Sequence, residues 1–235
     1  MTLRVAGASE RGPAHEKSGR PNQDAWYARV TKSGALAVVA DGLGSRVAAR
    51  EGACAAVAAC RAAWRHWVAS PSSSGEDLVR LIEVLWRMKL GRTPPGDAST
   101  TCLVCALRTD SSGVALQLGD GLVGVGDMSG GFRAITPEKT AFGTATLALG
   151  TPHGLRDWVI APMSPFEPGT ALLLASDGVA DDLLPEKREP FLRWIIRSAE
   201  SSCSPRGKIS RALRSWPVPG HSDDKTIVAV WETAS

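Results

Sequence analysis

Hydrophobic and polar positions change rhythm several times along the chain. Residues 25–31 and 35–40 are short runs of β-forming side chains, joined at Lys32-Ser33-Gly34 in the manner of a hairpin. The second run is apolar throughout and stops at Asp41-Gly42. Residues 47–68 are Ala-rich, with Val57, Ala58, Arg61 and Trp64 at helical spacing, which predicts a helix. The Pro/Ser/Gly stretch 71–75 breaks it, and 76–90 predicts an amphipathic helix through Leu78, Leu81, Ile82, Leu85 and Trp86. After a loop at 91–96 the rhythm shortens, and 100–108, 114–119, 122–126 and 132–136 read as strands with turns between them. Two further strands are predicted at 158–161 and 171–175, while 144–150 fits neither period. Helices follow at 185–198 and 208–215, and a closing strand at 226–231. The opening segment, to about residue 22, is polar and Gly-rich and reads as an arm laid over the core.

Many strands at short intervals, interrupted by one block of helices and ended by another, predict an α+β fold with mostly antiparallel sheet. The Pro/Gly/Ser stretches are too short to link separate cores, so a single domain over 1–235 is expected. The 235 residues are 43% hydrophobic, and a chain this long buries roughly 70% of its unfolded surface, which excludes disorder. Lys and Arg number 27 against 24 Asp and Glu, a net charge of +3 that implies no nucleic-acid partner. No apolar run approaches the roughly 18 residues of a membrane span. Five cysteines at irregular spacing argue against a disulfide framework and for a reducing cytoplasm. Cys102 and Cys105 sit three apart within a predicted strand, on opposite faces, and are expected to pack in the core. Trp64, Trp67 and Trp86 fall on the helical block and are expected to be core or groove-lining residues. From Glu186 to Arg214 the chain carries eight Lys/Arg against three Glu, either a solvated helix face or a docking surface for an acidic partner such as a kinase or scaffold segment.

Composition changes the picture little; the placement of aspartates changes it more. Asp24 precedes the first hairpin strand and Asp41 ends the second. Asp120 and Asp177 each end a later apolar run, and Asp223-Asp224 precede the last. Three of these are Asp-Gly, which any tight turn would also use. Gathered at one place, carboxylates repel and take up protons unless a cation neutralises them. Oxygen ligands without a Cys/His set select Mg²⁺ or Mn²⁺. The spacing alone therefore points to a carboxylate-rich divalent-metal hydrolase.

The ordered series Asn22-Gln23-Asp24, Asp41-Gly42, Ser99-Thr100-Thr101, Gly119-Asp120, Ser176-Asp177-Gly178 with Asp181, and Asp223-Asp224-Lys225-Thr226 resembles the PP2C-type metal-dependent protein serine/threonine phosphatases, most of all their compact bacterial branch. The resemblance runs from about residue 15 to 232. It implies a central antiparallel β-sandwich flanked by helices on both sides, a four-layer αββα arrangement, with two, possibly three, Mn²⁺ or Mg²⁺ ions at one end. It also implies direct attack of water on phosphoserine or phosphothreonine in protein substrates, with a cognate Ser/Thr kinase as counterpart. By the same resemblance Asp41 bridges two ions and the Gly42 carbonyl is a further ligand. Asp177 and Asp223 complete one shell, Asp24 supports the second ion, and Asp120 with Asp181 match a weaker third site. Arg20 matches the phosphate-binding arginine, one residue closer to Asp24 than usual, with Arg11 or His15 as alternatives. The segment 133–150 corresponds to a variable flap beside the site.

Two further departures stand out. Gln23 replaces a common Glu, and Leu43 replaces a His that protonates the leaving oxygen in many relatives. His221, two residues from Asp223, is one candidate to stand in for it, and His153 reads as a surface residue. The departures also motivate an alternative, a catalytically weak pseudophosphatase that binds phosphoproteins or a partner; a small-molecule phosphohydrolase is a third reading.

Overall fold

The structure is a computed structural model and describes residues 2–110, 112–127, 130–135, 146–163 and 169–233. One sheet holds β2 (Asp24–Thr31), β3 (Gly34–Asp41), β4 (Cys102–Arg108), β5 (Gly113–Leu118) and β8 (Val159–Met163), in that order. The other holds β1 (Thr2–Glu10), β10 (Lys225–Thr233), β9 (Thr170–Ala175), β6 (Leu122–Asp127) and β7 (Phe132–Ala134). Every pairing is antiparallel. Helices α2 (Ala49–Ala69) and α3 (Gly75–Leu90) cover the first sheet. Helices α5 (Pro185–Glu200) and α6 (Pro205–Arg214) cover the second, which completes the four layers that the motif series implies.

This layering explains the continuous apolar runs. Leu36, Val38 and Ala40 of β3 face α2, while Ala35, Ala37 and Val39 face Leu172, Leu174, Val228 and Val230 of the opposite sheet. A strand covered on both faces has no polar alternation to show. The Ala-rich α2 follows from the same packing, because Ala53, Ala56, Ala59 and Ala63 let the helix lie close on the sheet. Cys102 and Cys105 do point to opposite faces: Cys102 meets Cys60 under α2, with 3.7 Å between sulfurs, and Cys105 lies between the sheets. Trp67 and Trp86 are core residues whose indole N–H groups donate to the Ser74 and Gly52 carbonyls, at 2.9 and 3.0 Å. Helix α3 starts at a capping box: Ser74 Oγ accepts from the Asp77 N–H, and the Asp77 carboxylate accepts from the Ser74 N–H.

The opening segment departs from expectation. It is no arm: β1 pairs with β10 over its whole length, from Thr2↔Thr233 to Glu10↔Lys225. It is an edge strand with small residues at its centre, Ala6, Gly7 and Ala8, so its sequence carries little β signal. A short helix, α1 (Pro13–Ser18), follows, with Pro13 at its first position. His153, expected at the surface, is half-buried with its side chain turned inward and only 4% exposed, its ring nitrogens against the Thr151 carbonyl at 2.8 Å and Glu83 Oε1 at 3.1 Å. Of the flap segment, residues 136–145 lie outside the described residues, as does residue 136 of the predicted strand 132–136. Among the described residues no helix is long and apolar enough to cross a membrane.

Candidate active site

Strand pairing gathers the acids. Asp24, first in β2, and Asp41, last in β3, are direct cross-strand partners. On the other sheet Ile227 pairs with Ala175, so the end of β9 and the start of β10 meet, bringing Asp177 beside Asp223. Asp177 begins the short helix α4 (Asp177–Ala180). Stacking the sheets sets one pair of acids against the other, and Ser176 ties them by donating its hydroxyl to Asp24 Oδ2 at 2.9 Å. Thr100 and Thr101 fix the end of β3: the Asp41 carbonyl accepts from the Thr101 N–H and Thr100 Oγ1, at 2.8 and 2.9 Å, and the Asp41 N–H donates to Thr101 Oγ1 at 3.0 Å. Gly42 is required by close approach, since a Cβ there would stand 2.4 Å from the Ala49 carbonyl oxygen at the start of α2.

One recess is lined by Arg20, Asp41, Gly42, Asp177 and Asp223, with His15 and Leu43 in its wall. Asp24 lies beneath it, 5% exposed. Asp181 lines an adjoining recess that shares Asp177 and Asp223 and includes His221. Asp120 lines neither recess; Thr146, in the wall of the first, donates its hydroxyl to Asp120 Oδ2 at 2.8 Å. Arg20 is exposed at the rim and donates to the Gly44 carbonyl at 3.2 Å, while Arg11 donates to the Arg20 carbonyl at 3.4 Å. His221 Nδ1 lies 3.0 Å from the Lys225 ammonium, and the ring lines the adjoining recess rather than the one that Asp41 lines. The basic block is split between α5 and α6, where Arg214 pairs with Glu10 at 3.0 Å and Arg206 and Arg211 line a shallow groove.

The electrostatics are those of negative charge short of a counter-charge. Burial pushes the Asp24 carboxyl up to about 7, the charge of Asp224 adds to this, and hydrogen bonds from Thr226 and Ser176 temper it. Burial holds Asp41 well above the usual carboxylate range, and the charges of Asp24, Asp177 and Asp223 act the same way. Asp223 is also raised, first by burial and then by Asp177. Three buried oxygens, Gln23 Oε1, Asp24 Oδ1 and Asp177 Oδ1, have no hydrogen-bond partner among the described residues. Orphaned acceptors beside carboxylates that resist ionisation make an all-oxygen donor set, which fits hard divalent cations and needs no His or Cys.

Sequence reasoning left Asp224 without a role. It is 2% exposed, and its carboxylate accepts from the Gly12 N–H at 2.7 Å and the Gln23 N–H at 2.6 Å, with His15 Nδ1 at 2.9 Å. The close fit depends on Gly12, where a Cβ would meet the Asp223 carbonyl at 2.2 Å. The Asp-Asp doublet was the one signal in the sequence, and nothing local says which of the two turns inward.

Two five-stranded antiparallel sheets, face to face between helical layers with acids at one rim, define the structural class. The family model of protein phosphatase 2C matches residues 11–216, and the chain belongs to that family. Comparison with curated proteins finds no significant match. Among solved structures, the chain is similar to the PPM Ser-Thr phosphatase MsPP from Mycobacterium smegmatis, solved with cacodylate, at 22% identity and TM-score 0.66 over 98% of each chain. PppA, described as a key regulatory component of T6SS in Pseudomonas aeruginosa, is 21% identical with TM-score 0.69 over 98% of each chain. The catalytic domain of the serine threonine protein phosphatase PstP, in complex with 2 manganese ions, is 20% identical with TM-score 0.62 over 97% of each. At these identities the likeness establishes the fold.

Proposed function

We propose that this chain is a metal-dependent phosphatase acting on phosphoserine and phosphothreonine in proteins. The observation that carries the reading is one cluster of acids in which the carboxyls of Asp24, Asp41 and Asp223 are held above their ordinary range, and in which Asp24 Oδ1 and Asp177 Oδ1 have no donor among the described residues. Asp41 would stand between two Mn²⁺ or Mg²⁺ ions, with the Gly42 carbonyl, Asp177 and Asp223 on one and Asp24 toward the other. Asp120 and Asp181 would serve a third. Bound there, the ions supply positive charge that polarises a phosphoryl oxygen and acidifies water. Arg20, which lines the same recess, would hold the phosphoryl group by paired N–H donors. Thr100 and Thr101 fix the backbone of Asp41 and Ser176 donates to the Asp24 carboxylate, so little reorganisation would be left to the reaction.

Family membership and the manganese in the PstP structure support this reading. The test is release of phosphate from a phosphoserine peptide with Mn²⁺, repeated with EDTA and with Asp41→Asn. Turnover that survives chelation and the substitution rules the reading out. Leu43 and Gln23 favour one alternative, a pseudophosphatase that binds phosphoproteins without turnover. It predicts phosphopeptide binding by calorimetry with no phosphate released at any Mn²⁺ concentration. Either role places the chain, as one domain, in the cytoplasm opposite a Ser/Thr kinase.

A further inference from the structure

The resemblance leaves one part of the reaction unassigned. Position 43 carries Leu, which cannot pass a proton to the departing oxygen, and its backbone N–H is committed to the Ser99 carbonyl at 2.9 Å. His221 is held against Lys225 in the adjoining recess. His15 is placed differently. It comes from α1, 28 residues before Leu43 in the chain (43 minus 15), yet it lines the same recess as Asp41, Asp177 and Leu43. Its side chain is 12% exposed. Asp224, buried and already accepting two backbone N–H groups, takes Nδ1 at 2.9 Å, and a carboxylate there accepts, so Nδ1 is the donor. Nε2 has no partner among the described residues. A ring nitrogen of His15 and carboxylate oxygens of Asp223 and Asp224 lie within 4.8 Å of one another.

We propose that His15, oriented by Asp224, is the proton donor to the departing serine or threonine oxygen, in place of the histidine that Leu43 replaces. The assignment rests on the phosphatase reading above. In the step, the oxygen of the attacking water forms the new bond to phosphorus. The bond from phosphorus to the serine oxygen breaks and its electron pair stays on that oxygen. His15 enters the step with both ring nitrogens protonated; its Nε2 proton moves to that oxygen, Nδ1–H stays on Asp224, and the neutral ring regains a proton originating from the water now bonded to phosphorus. Serine and inorganic phosphate leave, and the ring ends as it began. Asp224 touches no reacting atom; it is a positioning residue that fixes the ring plane and keeps Nε2 toward the recess.

The test compares leaving groups, because a proton donor matters only when the departing oxygen is basic. His15→Asn keeps an N–H near Asp224 and removes Nε2. Its turnover should fall about 100-fold on a phosphoserine peptide, the usual scale for losing such a donor, and less than about threefold on 2,4-dinitrophenyl phosphate. Mn²⁺ affinity by calorimetry should stay within about twofold, because the proposal makes the ring a proton donor and not a ligand, although its nitrogen lies within 4.8 Å of carboxylate oxygens of Asp223 and Asp224. Equal losses on both substrates together with weaker Mn²⁺ binding would make His15 a metal ligand and overturn the proposal; so would no loss on either. Should the variant not fold, the wild-type chain decides: kcat/KM across aryl phosphates should depend weakly on the leaving group, and a steep dependence overturns the assignment. A wild-type chain with no turnover under any divalent ion sinks the phosphatase reading itself, an outcome distinct from a flat loss.

Discussion

Along β3 and β9 the middle side chains are buried against other apolar groups, whereas at the ends of the same strands Asp41 and Asp177 are held near each other's negative charge. The apolar interior is packed against groups of its own kind. At the rim, like charges face one another and three buried oxygens have no donor among the described residues. A few residues of strand thus separate a region that stabilises the chain from one that the chain must hold in place against repulsion. On that contrast, a single substitution should move stability and activity in opposite directions at the rim and leave them uncoupled in the interior.

Asp41→Asn is the strongest test. On the proposed reading, in which Asp41 is shared by two ions, its removal should cost several kcal/mol of transition-state stabilisation, a fall in Mn²⁺-dependent turnover of about 1000-fold or more. Without ions, the same variant should melt above the wild type at pH 8, because a charge opposed by burial and by Asp24, Asp177 and Asp223 is gone. A lower ion-free melting temperature would mean that Asp41 is already compensated within the chain. The interior counterpart is Leu173→Ala, at a fully buried position of β9 under α5 and α6. It should lose about 2–5 kcal/mol in denaturant unfolding while turnover per folded molecule stays unchanged.

The interior was also the region most open to reading from sequence. The both-faced runs at β3, β9 and β10, the Ala-rich helix and the breaks around them are local patterns, so their element types could be read one window at a time. β1 could not, because an edge strand of small residues gains its structure from β10, more than 200 positions away. At the rim, Asp24, Asp41, Asp177 and Asp223 were legible through their order in the chain rather than their chemistry. That order says which acids belong together but not how each is held. Asp224 and His15 show the limit: the carboxylate turns inward because Gly12 and Gln23 offer their N–H groups, and those partners come from the far end of the chain. Asp120 marks another, since it shares the Asp-Gly pattern yet lines neither recess.

A pH series sharpens the contrast without any substitution. Asp24 titrates near 7 in the folded chain against an ordinary value of 3.8. Between those values the folded state holds a proton that the unfolded state has lost. Stability is therefore fullest at the acid end of the window and falls as pH rises through it, the penalty being complete above about 7. The ion-free chain should melt at lower temperature at pH 8 than at pH 5. Excess Mn²⁺ should raise the midpoint more at pH 8, where the carboxylates are ionised and available. An ion-free chain equally stable at both values would place the rim acids in a relaxed, hydrated state.

The smallest expected effect falls on Gln23, whose side-chain oxygen is buried without a donor while its backbone N–H is held by Asp224. Gln23→Glu places a full negative charge where a neutral amide now stands, in a shape nearly unchanged. In the interior such a change could only destabilise. At the rim its sign depends on what else is bound. Without ions the extra carboxylate adds to the repulsion around Asp24 and Asp41, and the midpoint should drop by an amount of order 1 kcal/mol. With Mn²⁺ it becomes an additional anionic ligand, and calorimetry should show affinity rising up to about tenfold. A variant destabilised to the same degree with and without Mn²⁺ would place the Gln23 oxygen outside the ion's reach, so that its lack of a donor would reflect the packing of the β2 start alone.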